Sequence, residues 1–269
     1  MLGAIAGDII GSRFELRPIR MRDFTLFHPE CRFTDDTVLT VAVAAALLTE
    51  QLYDDRRQHY VEQYHDWFAQ YPDAGYGESF YSWADDRKRA PYGSWGNGSA
   101  MRVSPIGWVF PTLEETLAEA KLSAEVTHDH PAGIKGAEAI AAAVFLARTG
   151  STKEQIAEYI TDTVGYDVSV PLEEQRKVYR FDVSCSGSVP QAIRCFLESQ
   201  DFESAARNAV WLGGDTDTLA CMAGSIAEAF YGGVPPELAV PALTTLEGPL
   251  RDVATAFCEK YGVPLPWSE

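Results

Sequence analysis

Phe33-Thr34-Asp35-Asp36-Thr37 and, far downstream, Gly213-Gly214-Asp215-Thr216-Asp217-Thr218 are compact threonine/aspartate clusters, and each runs straight into an apolar stretch. After the first come Val38 to Leu48, with Thr40 as the one polar residue; after the second come Leu219 to Phe230, rich in alanine and ending at Gly232-Gly233. Threonine and aspartate suit helix starts, because their oxygens accept from free backbone N–H groups and the helix dipole favours a carboxylate there. One carboxylate is enough for a cap, so a pair at each start asks for another cause. If the fold brings the two starts together, Asp35, Asp36, Asp215 and Asp217 crowd four negative charges into one pocket. Such crowding raises pKa values and opposes folding unless cations sit among the carboxylates. Two divalent ions balance four carboxylates, and Thr34 and Thr218 offer neutral oxygens beside them. An all-oxygen donor set selects a hard ion, Mg²⁺, Mn²⁺ or Ca²⁺, over zinc or copper. Neither cluster is a helix–loop–helix calcium loop, since Leu219 and Ile226 stand where further oxygen ligands belong.

Working outward, helices dominate. The run from Thr37 to about Glu50 is apolar on every side, which predicts a central, buried helix. Residues 54–71 carry Tyr60, Val61, Tyr64, Trp67, Phe68 and Tyr71 at helical spacing. Residues 1–12 read as a short helix with Gly3, Ala4, Gly7 and Gly11 along it and Asp8 interrupting an otherwise apolar segment. Residues 16–33, with Pro18 and Pro29, read as an exposed loop. Pro72 to Pro111 is glycine-, tyrosine- and tryptophan-rich, with a short helix expected near 79–88; long segments of this kind commonly carry function. Further helices are expected at about 113–127, 132–148, 152–163, 171–180, 189–199, 201–211, 216–231 and 249–261. No alternating run demands a sheet, and no linker divides the chain. The expectation is an all-α protein, a single compact multi-helix domain over 1–269, with a dinuclear metal site between helix N-termini.

With 269 residues the chain can bury a full core. A formal charge of −17 argues against a general nucleic-acid-binding surface and against anchoring to anionic membranes. The five cysteines are scattered without a CxxC spacing, so neither a disulfide framework nor a zinc module is expected. The N-terminal segment lacks a basic leader, and no run approaches the length of a bilayer span; a cytoplasmic setting is expected. Thr127-His128-Asp129-His130-Pro131 stands before a helix. Its imidazoles either hydrogen-bond locally at the helix entry, or one of them walls a polar pocket. Gly96-Asn97-Gly98-Ser99 is backbone that can approach a ligand closely, and Arg102 beyond it can pair with phosphate. Cys185 with His128 or His130 as a cysteine hydrolase has residue type alone behind it.

Taken together, Gly7-Asp8-Ile9-Ile10-Gly11 with Glu15, Thr34-Asp35-Asp36-Thr37, Gly96-Asn97-Gly98 with Met101-Arg102, Thr127-His128, and Gly213-Gly214-Asp215-Thr216-Asp217-Thr218 resemble the ordered motif set of the ADP-ribosylglycohydrolase family. The match runs from residue 1 to about 231. The resemblance implies a compact all-α fold, a centre of two Mg²⁺ or Mn²⁺ ions, and hydrolytic removal of ADP-ribose from a modified protein or small molecule at the anomeric carbon of the distal ribose. By motif, Thr34, Asp35 and Asp36 are ligands from the first helix start, and Asp215, Asp217 and Thr218 from the second. Glu15 matches a mobile acidic residue near the ribose; Glu15 or Asp36 then serves as acid or base. Gly77, Asn97, Gly98, Ser99, Met101 and His128 fall where the family lines its ADP-ribose cleft. Two other readings stay open: a non-catalytic ADP-ribose-binding or structural relative, and a metallohydrolase acting on a free ADP-ribosyl small molecule or nucleotide. The acceptor linkage and the oligomeric state are not readable from these motifs.

Overall fold

The computed structural model describes residues 1–15, 17, 19–49 and 55–267. Pro18 and the helix ends expected at Glu50 and residue 54 lie outside the described residues. The chain opens with α1 (Leu2–Gly11), α2 (Asp35–Leu48), α3 (Arg56–Gln70) and α4 (Glu78–Asp85), then the single turns α5 (Gly98–Met101) and α6 (Ile106–Val109). Next come α7 (Leu113–Glu125), α8 (Pro131–Arg148) and α9 (Lys153–Glu158), which runs on as a π-helical turn over Tyr159–Val164. The order closes with α10 (Leu172–Val178), α11 (Cys185–Leu197), α12 (Phe202–Leu212), α13 (Thr216–Tyr231), α14 (Pro236–Thr245) and α15 (Gly248–Tyr261). Among the described residues the one β-type pairing is an isolated antiparallel bridge between Gly96 and Ser184. The protein is all-α, as its periodicity predicts.

The core is set by the closest helix pair. Along α1, Gly3, Gly7 and Gly11 recur every fourth residue and so share one face. A methyl group on Gly7 would lie 2.0 Å from the Ala220 carbonyl oxygen, and one on Gly3 2.3 Å from that of Gly224. The two backbones therefore touch, and α1 runs antiparallel to α13, with Gly11 beside Thr216. Thr216 Oγ1 donates to the Gly11 carbonyl at 2.9 Å, so the start of α13 is tied to the end of α1. Alongside, α2 is buried from Asp36 through Leu47, the central helix its unbroken apolar run demands. It packs against α1, α3, α13 and α15. The alanine-rich α8 packs on α7, α11 and α13. The starts of α2 and α13 thus flank the end of α1.

Three regions differ from the sequence reading. The loop between residues 72 and 111 contains α5 and α6, each one turn long and so below the reach of periodicity. α11 starts at Cys185 rather than 189, because the Ser184 hydroxyl accepts from the Gly187 N–H at 2.9 Å and supplies the cap. α14 is a helix where none is expected. Pro236 sits in its first turn, and Pro241 within it is tolerated beside buried Leu238, Ala239, Ala242 and Leu243. Among the described residues no helix is long and apolar enough to cross a membrane.

Candidate active site

At the first acid cluster the helix-capping needs are met by other residues, and at the second the N-cap aspartate makes no cap bond, so carboxylates at both starts are available for another role. At the start of α2 the Thr34 hydroxyl accepts from the Asp36 N–H at 3.3 Å. Asp8, reaching across from α1, accepts from Thr34 N–H and Oγ1 at 2.9 and 2.7 Å, and from Thr37 N–H and Oγ1 at 3.1 and 2.5 Å. The paired acids Asp35 and Asp36 are therefore surplus to the cap. At α13, Asp215 occupies the N-cap position but makes no side-chain cap bond. Its carboxylate instead accepts from the Asn97 side-chain amide at 2.7 Å. Asp217 accepts from the Thr218 N–H at 3.0 Å.

The clusters converge. Carboxylate oxygens of Asp8, Asp36 and Asp217 lie within 4.8 Å of one another, and those of Glu15, Asp215 and Asp217 do likewise, so Asp217 belongs to both groups. Asp36 Oδ2 accepts from Thr218 Oγ1 at 3.2 Å, a direct link between the two helix starts. Asp36 Oδ1 is buried with no hydrogen-bond partner. Among the described residues, no ion pair includes any of these carboxylates. Burial, then the neighbouring carboxylates, push Asp35, Asp36 and Asp215 well above the usual carboxylate range. Burial and the Asp217 charge raise Asp8 to about 7. Glu15, half-buried, is raised by burial and by Asp217, with Arg32 pulling the other way. A buried carboxylate oxygen without a donor, threonine hydroxyls beside it and uncompensated like charge are what a hard cation relieves, so the acidic clusters can bind metal ions.

The two helix starts border a cavity of about 550 Å³, within the range of small-molecule sites. Thr34, Asp35, Asp36, Asp215, Asp217, Thr218 and Glu15 line it, and so do Gly77, Asn97, Gly98, Met101 and His128. Ser99 does not. On the single turn α5, Gly98 and Met101 face the cavity while Ser99 points inward, fully buried, its hydroxyl donating to the Gly133 carbonyl at 2.8 Å.

Other expectations are sorted the same way. His130 caps α8, its Nδ1 accepting from the Ala132 N–H at 3.1 Å, so only His128 of the pair walls the pocket. Arg102 borders the cavity, yet its guanidinium is buried and donates to the Ser123 carbonyl and the Thr127 hydroxyl rather than standing open to phosphate. The Cys185 thiol donates to the Gly96 carbonyl at 3.0 Å, and burial pushes it up to about 12; it is a structural thiol. Sequence reasoning missed Asp8 as part of the acidic group, though a lone acid in an apolar helix was its signal. It also missed Trp95, Phe181 and Val183 as cavity walls. The Gly96–Ser184 bridge and the Asn97 N–H to Val183 carbonyl bond at 2.8 Å bring those last two in, and neither leaves a local trace.

A family model described as ADP-ribosylglycohydrolase matches residues 1–262. The chain belongs to the ADP-ribosylglycohydrolase family. ADP-ribosylhydrolase ARH3 of Mus musculus is 29% identical over an alignment covering 86% of this chain and 82% of that protein. ARH3 of Bos taurus is 30% identical, covering 86% and 84%. Among solved structures, an ADP-ribosylglycohydrolase-related protein complex superposes with a TM-score of 0.71 at 24% identity, covering 96% of both chains, a likeness of fold. The family assignment agrees with the order of motifs from Gly7 to Thr218.

Proposed function

We propose that this protein is a metal-dependent hydrolase that releases ADP-ribose from a modified protein or small molecule by cleaving the glycosidic bond at the anomeric carbon of the distal ribose. The single observation that carries the reading is the convergence of two acid clusters, 182 residues apart at the Thr218–Asp36 bond, on the wall of a nucleotide-sized cavity. Curated relatives named as ADP-ribosylhydrolases support the choice of substrate.

Thr34, Asp35 and Asp36 from the start of α2, with Asp215, Asp217 and Thr218 from the start of α13, are the residues that hold two Mg²⁺ or Mn²⁺ ions in this reading. Bound there, the ions supply Lewis acidity toward ribose oxygens and a water of lowered pKa. The chain's own residues do the rest. The Asn97 amide fixes the Asp215 carboxylate through their 2.7 Å bond. Gly77 opens onto free space, where a side chain would meet nothing within 4 Å, so a ligand can approach its backbone; Gly98 lies against the His128 ring, where a methyl would come within 3.2 Å of Nε2. Met101 and His128 wall the cleft. In this reading Glu15, half-buried and with its carboxyl raised by burial and by Asp217, keeps a proton for the leaving group or takes one from water as the oxocarbenium-like state is met. Asp36 is the second candidate for the proton, through its unpartnered Oδ1.

The test is release of ADP-ribose from a panel of arginine, serine, nucleobase and small-molecule linkages, with Mg²⁺, with Mn²⁺ and in excess chelator. Release from one linkage that stops in chelator is expected; equal release in chelator would overturn the metal-dependent reading. Glu15→Gln should lower turnover by ~10²-fold while calorimetric ADP-ribose affinity is kept. Unchanged turnover would remove Glu15 from the proton chemistry.

A further inference from the structure

Arg102 is a charge without a counter-charge. It is fully buried, and among the described residues no carboxylate pairs with it. Its guanidinium lies 4.1 Å over the Tyr64 ring, leaving Nε and Nη1 without hydrogen-bond partners. Nη2 alone is engaged, with the Ser123 carbonyl at 3.0 Å and Thr127 Oγ1 at 2.8 Å. Burying such a group is unfavourable, and the structure retains it for a reason that packing alone does not give. The reason lies one bond further on, because Thr127 Oγ1 is also 2.8 Å from His128 Nδ1.

Donor and acceptor accounting decides which way the protons run. A guanidinium only donates, so Thr127 Oγ1 accepts from Arg102. The Thr127 proton then has two possible acceptors, His128 Nδ1 at 2.8 Å and the Ala124 carbonyl at 3.4 Å. That carbonyl already accepts from the backbone N–H groups of Thr127 at 3.1 Å and His128 at 2.8 Å, which uses both its lone pairs. The proton goes to Nδ1. An Nδ1 that accepts leaves the ring hydrogen on Nε2. Nε2 in turn faces the glycine edge of the cleft: a methyl on Gly98 would lie 3.2 Å from it, and one on Gly96 3.8 Å. The groups packed around the ring are Arg102, the Tyr92 ring at 5.8 Å and the glycine backbone, while the neighbouring Asp129 carboxylate turns away to accept from the Gly93 N–H.

We propose that Arg102 and Thr127 are positioning residues that fix His128 as the neutral imidazole with its hydrogen on Nε2, so that the cleft is met by an N–H donor. That this donor serves a phosphate or ribose oxygen of ADP-ribose rests on the function proposed above. Burial and the Arg102 charge both hold His128 well below the usual histidine range, which agrees with a neutral ring. The device gives a reason for an unpaired buried arginine: its positive field and its one-way donation act together on the same imidazole.

Long-range ¹H–¹⁵N correlation spectra of the histidine-labelled, ligand-free protein read the ring directly. A bare Nδ1 and a protonated Nε2 that persist down to pH 6 are expected for His128. An Nδ1–H ring, or an imidazolium at pH 7, would overturn the proposal without any variant being made. Thr127→Val removes the relay; it should mix the two tautomers and weaken ADP-ribose binding ~10-fold, raising KM more than it lowers kcat. Thr127→Ser should restore both the ring signature and the affinity. An unchanged ring signature in Thr127→Val also overturns it. If the wild-type protein fails to bind ADP-ribose, the proposed function falls, while the ring signature still decides whether the relay exists.

Discussion

The two acid clusters are near twins as sequence and differ as structures. At α2 the helix start is completed from outside: Asp8 of α1 takes four hydrogen bonds from Thr34 and Thr37, and Thr34 caps the Asp36 N–H. At α13 the N-cap residue Asp215 makes no side-chain cap bond; instead the chain bends into the helix through Gly213 and Gly214, at φ +84° and +82°. The first start is held by hydrogen bonds to Asp8; the second is shaped by its glycines and tied to α1 by the Thr216–Gly11 bond. Both solutions serve the same purpose, since each start turns a pair of aspartates toward the same cavity. A cap is a local motif that many chains share. Two differently built starts that deliver the same surplus of carboxylate indicate that the surplus is what the fold is arranged around.

If the two starts are halves of one centre, damage to either should be equally severe. Asp36→Asn and Asp215→Asn should each lower ADP-ribose release by ~10²-fold or more, because each removes part of a charge cluster worth several kcal/mol in the transition state. Rates for both variants, measured under saturating Mg²⁺ and Mn²⁺, check this. A variant at either start that keeps turnover within threefold of wild type would break the symmetry and leave that cluster a structural element.

The sequence shows this symmetry better than it shows the asymmetry. Doubling of acids, the all-round apolar run after Asp36 and the glycine-flanked Asn97 are local patterns, and they lead directly to the buried α2, the all-α class and the cavity wall. Asp8 is harder to place, because one acid in an apolar helix becomes a cap only when α1 is laid beside α2. Phe181 and Val183 cannot be placed by any local rule, since the Gly96–Ser184 bridge that brings them to the cleft joins segments 88 residues apart. Ser99 fails for a different reason. A single turn such as α5 is too short for periodicity to tell which of its residues face outward.

A second contrast concerns protons. Asp8 is raised from its ordinary value of 3.8 to about 7, and Asp35, Asp36 and Asp215 move the same way. In chelated protein the folded state therefore holds protons that the unfolded chain releases. The stability this provides is present below the unfolded value and is lost as pH rises from about 4 through about 7. For Asp8 alone the loss is on the order of 4 kcal/mol at most, by the energy equivalent of a pKa shift. The gap in Tm between metal-loaded and chelated protein should widen between pH 5 and pH 8, and Asp8→Asn should flatten the chelated curve. A gap that narrows with rising pH would reverse the sign and remove like-charge crowding as the cause.

The smallest effect tests the backbone side of the comparison. Gly213 sits at φ +84° and ψ −167°, a region reserved in practice for glycine. A methyl there would also lie 2.8 Å from Arg176 Nη1, which donates to the Leu212 carbonyl at 2.7 Å while Nη2 holds the Ile19 carbonyl at 2.6 Å. The guanidinium end can shift, so the backbone contributes most of the penalty. Gly213→Ala should destabilise the protein by ~2 kcal/mol, a fall of several degrees in Tm. Thr34→Ala, at the other start, should fall short of that, because Asp8 still accepts from the Thr34 and Thr37 N–H groups after the hydroxyl is gone. Thermal denaturation of both variants in chelator gives the ranking. If Thr34→Ala proves the more damaging, the first start depends on its own cap rather than on Asp8, and the two clusters are more alike in construction than their hydrogen bonds indicate.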